Sequence, residues 1–170
     1  FKIVQFSDLH SGGFDSYEDV KRGFDLIQAQ QADLILFTGD LVNDLAEEIE
    51  PYKDLLKNLS APHGKFSVLG NHDYPEDLDL FPDEAAKQAN FQAIQRHHAD
   101  TNFQLMNNSN AKIQQGENFI RLIGVENWGN GFIQEGDLDK AIKDCGEDEF
   151  SILMSHDPTH WEEVVLKHPK

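Results

Sequence analysis

Phe66-Ser67-Val68-Leu69-Gly70-Asn71-His72-Asp73 is a short apolar run that empties into a glycine and three polar residues. The run reads as a buried strand, Gly70 lets the backbone turn sharply, and side chains able to bind a metal or move a proton follow at once. Strand ends carry polar loops everywhere, so this stretch alone decides little. Repetition decides more. Ile3-Val-Gln-Phe6 ends in Ser7-Asp8-Leu9-His10, Leu34-Ile-Leu-Phe37 in Thr38-Gly39-Asp40, and Phe150-Ser-Ile-Leu-Met154 in Ser155-His156-Asp157. Four strands thus deliver Asp8, His10, Asp40, Asn71, His72 and His156 to their carboxyl ends, as one site on the rim of a sheet would require.

Outward from these strands, residues 16–31 read as an amphipathic helix with Val20, Phe24, Ile27 and Leu26 on one face, Ser16 as N-cap, and Glu18 and Asp19 in the first turn. Pro51 suits a first helical turn, so the next helix is expected over residues 50–59. Asp83 is expected to cap a helix reaching His98. From Thr101 the pattern changes: residues 103–106, 111–114 and 119–125 read as a three-stranded meander. A short helix over 137–144, a strand over 150–154 and a helix over 159–167 with Trp161, Val164 and Val165 inward complete the chain. Strands alternating with helices predict an α/β fold, and the hairpin-rich second half predicts two sheets face to face with helices outside.

A chain of 170 residues, 39% hydrophobic and 26% charged, is long enough for one domain with a real core. No run approaches the roughly 18 apolar residues of a membrane span, and no signal-like segment opens the chain. The start at Phe1, without Met and inside a strand pattern, suggests a chain trimmed from something longer. The net charge of −17, from 14 basic and 31 acidic residues, repels nucleic acid and anionic membranes. Two divalent ions would bring it to −13 (−17 + 4) and reverse its sign locally. The single Cys145 excludes an internal disulfide and a thiolate cluster.

On an extended segment Asp8 and His10 would point the same way and could converge on one ion. Asp40 could bridge two ions, Asn71 offers an amide oxygen and His156 an imidazole nitrogen. Oxygen and nitrogen ligands without thiolate suit Zn, Fe, Mn or Co, and several in one cleft allow a two-metal site. Such a site generates a hydroxide nucleophile and clamps an in-line displacement at phosphorus, and His72 would protonate the leaving oxygen. Polar capping would account for any one of these residues; the ordered set is what points to a metal. Asp77, Asp79 and Asp83 lack the glycine and terminal glutamate of a calcium loop. His63, His97, His98, His160 and His168 read as surface or packing residues, the His97-His98 pair at a helix end where a cation complements the dipole. The run around Glu47, Glu48 and Glu50 reads as a solvated face, and Trp128 and Phe132 as core packing.

D-x-H, G-D, G-N-H-D and a later lone His, in this order, resemble the calcineurin-like metallophosphoesterases from residue 2 to about Trp161. The resemblance implies a four-layer α/β/β/α sandwich of two mixed sheets flanked by helices. It implies one metal on Asp8, His10 and bridging Asp40, a second on Asp40, Asn71 and His156, and His72 as the acid. The implied partner is a phosphate-ester substrate, mono- or diester, with nucleic acid disfavoured by the lack of a basic groove. Ser7-Asp-Leu-His10, Gly39-Asp-Leu-Val42 and Ser155-His-Asp-Pro158 look most like bacterial members whose parent chains are often membrane-associated. Two departures stand out. The family's closing G-H-x-H segment has no counterpart, so the resemblance implies a domain spanning 1–170 that is truncated at its carboxyl end, with each metal short of one His. Asn43 stands where many family phosphatases carry an Asp that orients the catalytic His, and Asp44 or Asp73 would have to substitute. A non-catalytic metal-binding or scaffold domain is the alternative reading.

Overall fold

The protein is described by a computed structural model over residues 1–75 and 78–169. Four strands, β1 (Ile3–Phe6), β2 (Leu34–Phe37), β3 (Lys65–Ser67) and β4 (Gln104–Leu105), form one sheet in the order β1-β2-β3-β4. Every pair in it is parallel. A second sheet has the order β5-β6-β7, built from β5 (Ser109–Gln115), β6 (Asn118–Gly124) and β7 (Ser151–Met154). Here β5 and β6 form an antiparallel hairpin and β7 joins β6 in parallel. The second sheet is therefore mixed, as expected, and the first is parallel.

Alternation along the strands creates the layers. Leu34 and Leu36 of β2 face inward with Phe66, Val68 and Met106, and meet Ile113, Ile120, Leu122 and Met154 of the other sheet. Ile35 and Phe37, the alternate residues of β2, face outward and pack under α1 (Tyr17–Ala29), α2 (Lys53–Asn58) and α3 (Glu84–Asp100) through Val20, Phe24, Leu56 and Ile94. On the far side Ile123 and Val125 pack under α4 (Leu138–Ala141), with Val164 and Val165 beside them. This is an α/β fold of two sheets flanked by helices.

Helix starts follow local chemistry. Ser16 Oγ accepts the Asp19 amide at 3.3 Å, Asp83 the Ala86 amide at 2.8 Å and Asp137 the Lys140 amide at 2.9 Å. Several expectations need correction. Leu26 is 68% exposed and lies off the buried face of α1. Residues 46–52 form a 3-10 turn before α2, because Pro51 has no N–H to donate to an α-helical ladder. Trp161, on α5 (Thr159–Glu163), is 54% exposed rather than inward.

The meander is also corrected, since β4 pairs with β3 in the first sheet. Asn108 explains the switch between sheets: it sits at φ 48°, and its side chain ties Glu126, Glu135 and Asp137 together. The chain turns there out of one sheet and into the other. His97 and His98 are buried, and burial pushes His98 down to about 3, so it is a neutral packing group rather than a cation on the helix dipole. Asp77 lies outside the described residues.

Candidate metal centre

The loops leaving β1, β2, β3 and β7 meet at one end of the molecule. Past the end of β1 the chain stays zipped to the loop after β2: the amides of Asp8, His10 and Ser11 donate to the carbonyls of Gly39, Asp40 and Leu41 at 2.9, 3.1 and 3.2 Å. Asp8, His10 and Asp40 adopt φ of 55°, 44° and 59°. Their side chains therefore do not converge by alternation along an extended segment. They converge because the backbone enters the left-handed region, which costs non-glycine residues energy and is concentrated at functional sites.

Two glycines allow the loops to close on each other. Gly39 has φ +102°, and a Cβ there would lie 2.7 Å from the Gly70 Cα and 2.9 Å from His156 Nδ1. A Cβ on Gly70 would lie 2.6 Å from the Asp40 amide nitrogen and 2.8 Å from His156 Cε1. The G-D and G-N-H-D stretches are thus back to back, and neither glycine leaves room for a side chain.

Asp40 is the hub, its side chain only 3% exposed. One carboxylate oxygen, Oδ1, accepts the backbone N–H of His72 at 2.9 Å. The other, Oδ2, lies 3.3 Å from His10 Nε2 and 3.4 Å from His156 Nε2. Both imidazoles are turned by their far nitrogens: His156 Nδ1 donates to the Thr38 carbonyl at 2.8 Å, and His10 Nδ1 to Asn43 Oδ1 at 3.0 Å. Each Nε2 is thereby left as the nitrogen facing Asp40. Asn71 Oδ1 is 3.1 Å from His156 Nε2, and Asp8 Oδ1 is 3.9 Å from His10 Nε2. Burial works against charge on the Asp40 carboxylate, yet the hydrogen bond and charge of His156 and the His72 amide hold its pKa below the ordinary value. Burial likewise opposes a cationic His156, and the hydrogen bond and charge of Asp40 outweigh it, raising the imidazole to about 9.

The donor set fits a metal. Donor atoms of Asp8, Asp40 and His156 lie within 4.8 Å of one another, as do those of His10, Asp40 and His72, with Asp40 common to both groups. Carboxylate, imidazole and amide donors without a thiolate suit Mn, Fe, Zn or Co.

The family profile of the calcineurin-like phosphoesterases matches residues 1–169. The chain belongs to this family. A metallophosphoesterase from Bacillus subtilis, YkuE, is 42% identical over 76 residues, covering 44% of this chain and 27% of that protein. One from Aquifex aeolicus is 27% identical over 170 residues, covering 96% of this chain and 58% of the relative. The UDP-2,3-diacylglucosamine pyrophosphatase LpxG of Chlamydia trachomatis is 28% identical over 193 residues, covering 92% of this chain and 57% of that enzyme. This calcineurin-like phosphoesterase chain therefore spans less than two thirds of each of these relatives. No helix among its described residues is long and apolar enough to cross a membrane.

Asn43 in this phosphoesterase chain plays a different part from the one its position suggested. Its side chain orients His10, and its backbone carbonyl accepts from His72 Nδ1 at 2.9 Å. Asp73 is no substitute for the missing carboxylate. It is fully buried, and its oxygens accept the amides of Asp40, Leu41 and Gly70 at 3.0, 2.8 and 2.9 Å, clamping the two glycine loops together. Burial pushes its carboxyl up to about 7 against the pull of those amides. Glu48 is likewise not a solvated side chain. It accepts the amides of Asn43, Asp44 and Leu45 and pins the turn that follows Asp40. Sequence reading missed this clamp because Leu45, three residues before Glu48, is not the Ser or Thr that marks a capping box. Phe132 is 54% exposed, which overturns its reading as core, while Trp128 tilts against buried His160 at 6.0 Å.

Proposed function

We propose that residues 1–170 are a single metallophosphoesterase domain that hydrolyses a phosphate ester at a two-metal centre. Asp8, His10 and Asp40 hold one ion in this reading, and Asp40, Asn71 and His156 the other. The observation that carries it is Asp40 Oδ2 standing between two imidazole Nε2 atoms at 3.3 and 3.4 Å, each ring turned inward by an acceptor on its far side. Bound divalent or trivalent ions supply Lewis acidity and draw a nucleophile from water at neutral pH. The protein's own part is position and proton transfer. Asp40 Oδ1 fixes the loop carrying Asn71 and His72 through the His72 amide. His72 Nδ1 donates to the Asn43 carbonyl, which leaves Nε2 as the nitrogen that protonates the leaving oxygen. A carbonyl orients the ring but, unlike a carboxylate, brings no charge to face an imidazolium.

A second reading, a metal-binding domain without catalysis, is favoured by the ligand count: three side chains for each ion, Asp40 shared. Hydrolysis separates the two. The Mn²⁺-loaded protein is assayed with p-nitrophenyl phosphate, bis(p-nitrophenyl) phosphate and, because LpxG is named a pyrophosphatase, a nucleoside diphosphate sugar. Wild type is expected to cleave at least one, and Asp40→Ala and His72→Ala to lose that activity. Rates equal in all three proteins would sink the enzymatic reading.

A further inference from the structure

We propose that Glu48 is a positioning residue of this centre: through Asn43 it sets the rings of His10 and His72 together and leaves His156 alone. The proposal rests on the phosphoesterase reading and adds to it the device that aligns one metal ligand with the acid. Asn43 is the point where the two histidines meet. Its side-chain Oδ1 accepts His10 Nδ1 at 3.0 Å, and its backbone carbonyl accepts His72 Nδ1 at 2.9 Å. The two rings touch edge to face, with centroids 4.7 Å apart and planes at 80°. One residue thereby turns both the ring that offers Nε2 to Asp40 and the ring that would give up the proton. A rotation of Asn43 moves the pair.

Glu48 prevents that rotation. The Asn43 amide donates to Glu48 Oε2 at 2.6 Å, while Oε1 accepts the amides of Asp44 and Leu45 at 3.3 and 3.1 Å. Hydrogen bonds from backbone amides to an ionised carboxylate are among the stronger ones a protein makes. Both oxygens are occupied by the turn, and among the described residues Glu48 belongs to neither group of possible metal ligands. Gly12 closes the arrangement from the other side. A Cβ there would lie 2.6 Å from Glu48 Cδ and Oε2 and 2.8 Å from Asn43 Nδ2. Gly12 is not at positive φ, so the carboxylate and amide packed over it, rather than backbone strain, exclude a side chain.

His156 is anchored by other groups. Its Nδ1 donates to the Thr38 carbonyl at 2.8 Å, and the amide of Asp40 is held by Asp73 at 3.0 Å. Neither contact passes through Asn43. The device therefore acts on the half of the centre that contains His10, together with the acid.

Glu48→Ala and Gly12→Ala break it from opposite sides. Nitrogen NMR of the imidazole rings in metal-free protein is the first readout. In both variants the signals of His10 and His72 should shift together while those of His156 stay in place. Manganese titration should then find one ion bound as in wild type and the other about 10- to 100-fold more weakly. On an ester that wild type cleaves, kcat should fall about 100-fold. Should Glu48→Ala not fold, Glu48→Gln keeps one acceptor oxygen and is expected to give the same paired shift at smaller size. Unmoved His10 and His72 signals overturn the proposal. So does a His156 shift of equal size, or equal weakening of both ions, since either would mean that the rim loosens as a whole. If wild type binds no manganese and cleaves no ester, the phosphoesterase reading falls, and the paired shift of the two rings still decides the role of Glu48.

Discussion

At the carboxyl ends of β1 and β2, Asp8, His10 and Asp40 stand at positive φ and two glycines touch without room for a side chain. Over the hairpin of the second sheet, by contrast, seven consecutive pairs from Ser109↔Gly124 to Gln115↔Asn118 keep regular register. Each region carries a buried polar group, and the groups behave differently. Arg121, on β6, is closed in by Glu149 at 2.6 and 3.0 Å and Asn110 at 2.8 Å, and the guanidinium holds Glu149 down to about 2. At the rim, two imidazole nitrogens converge on one carboxylate oxygen, Asp40 Oδ2. The hairpin network pairs one guanidinium with fixed acceptors, whereas the rim network gathers carboxylate and imidazole donors that suit a metal ion. That difference separates polarity that supports the fold from polarity that does chemistry.

The contrast breaks most easily at Gly70. Gly70→Ala drives a methyl into the Asp40 amide and His156, so it should cost about 3 kcal/mol of stability and abolish manganese binding. Urea unfolding and metal titration read both, and an intact site would mean that the loops are not locked by this contact. His72→Ala is expected to lower kcat by about 100- to 10,000-fold while manganese content stays the same, as elemental analysis would establish. Loss of metal together with activity would make His72 a ligand instead.

A third effect lies away from both regions. His98 is buried with a pKa near 3, below its unfolded value of about 6.5, so the unfolded chain binds the extra proton. Its contribution is fully present above the unfolded value and is lost as pH falls through the window from about 6.5 toward 3, at up to about 1.4 kcal/mol per pH unit. Asp73, raised by burial, acts with the opposite sign over part of this range. The test is therefore a difference: His98→Leu should flatten the pH dependence of unfolding relative to wild type, and identical slopes would refute the assignment. The smallest effect is expected at Arg121. Arg121→Met should lower the melting temperature by several degrees and leave manganese affinity untouched; a weakened metal site would show that the two regions are coupled.

Much of this was legible in the sequence. Apolar runs ending in Asp, His or Asn located the strands and brought Asp8, His10, Asp40, Asn71, His72 and His156 to one rim. What sequence could not give is direction. Spacing of two between Asp8 and His10 suggested an extended segment, and only the left-handed backbone shows how they converge. Asn43 was placed beside the catalytic histidine, but the sequence did not show that its carbonyl meets His72 while its side chain meets His10, because side chain and carbonyl of one residue point to different rings. Asp73 and Glu48 were read as a stand-in and as surface because their partners are backbone amides, which no pattern of residue types displays. The meander failed for a similar reason: the turn at Asn108 depends on a long-range network that ends at Asp137.

Manganese binding to wild type and to Asp40→Asn, followed by isothermal titration on protein purified without chelator, tests the central claim most directly. Two ions per wild-type chain and none, or far weaker binding, in a folded Asp40→Asn protein are the predicted result. Equal stoichiometry and affinity in the two proteins would contradict it, because the hub between His10 and His156 would then hold no ion at all.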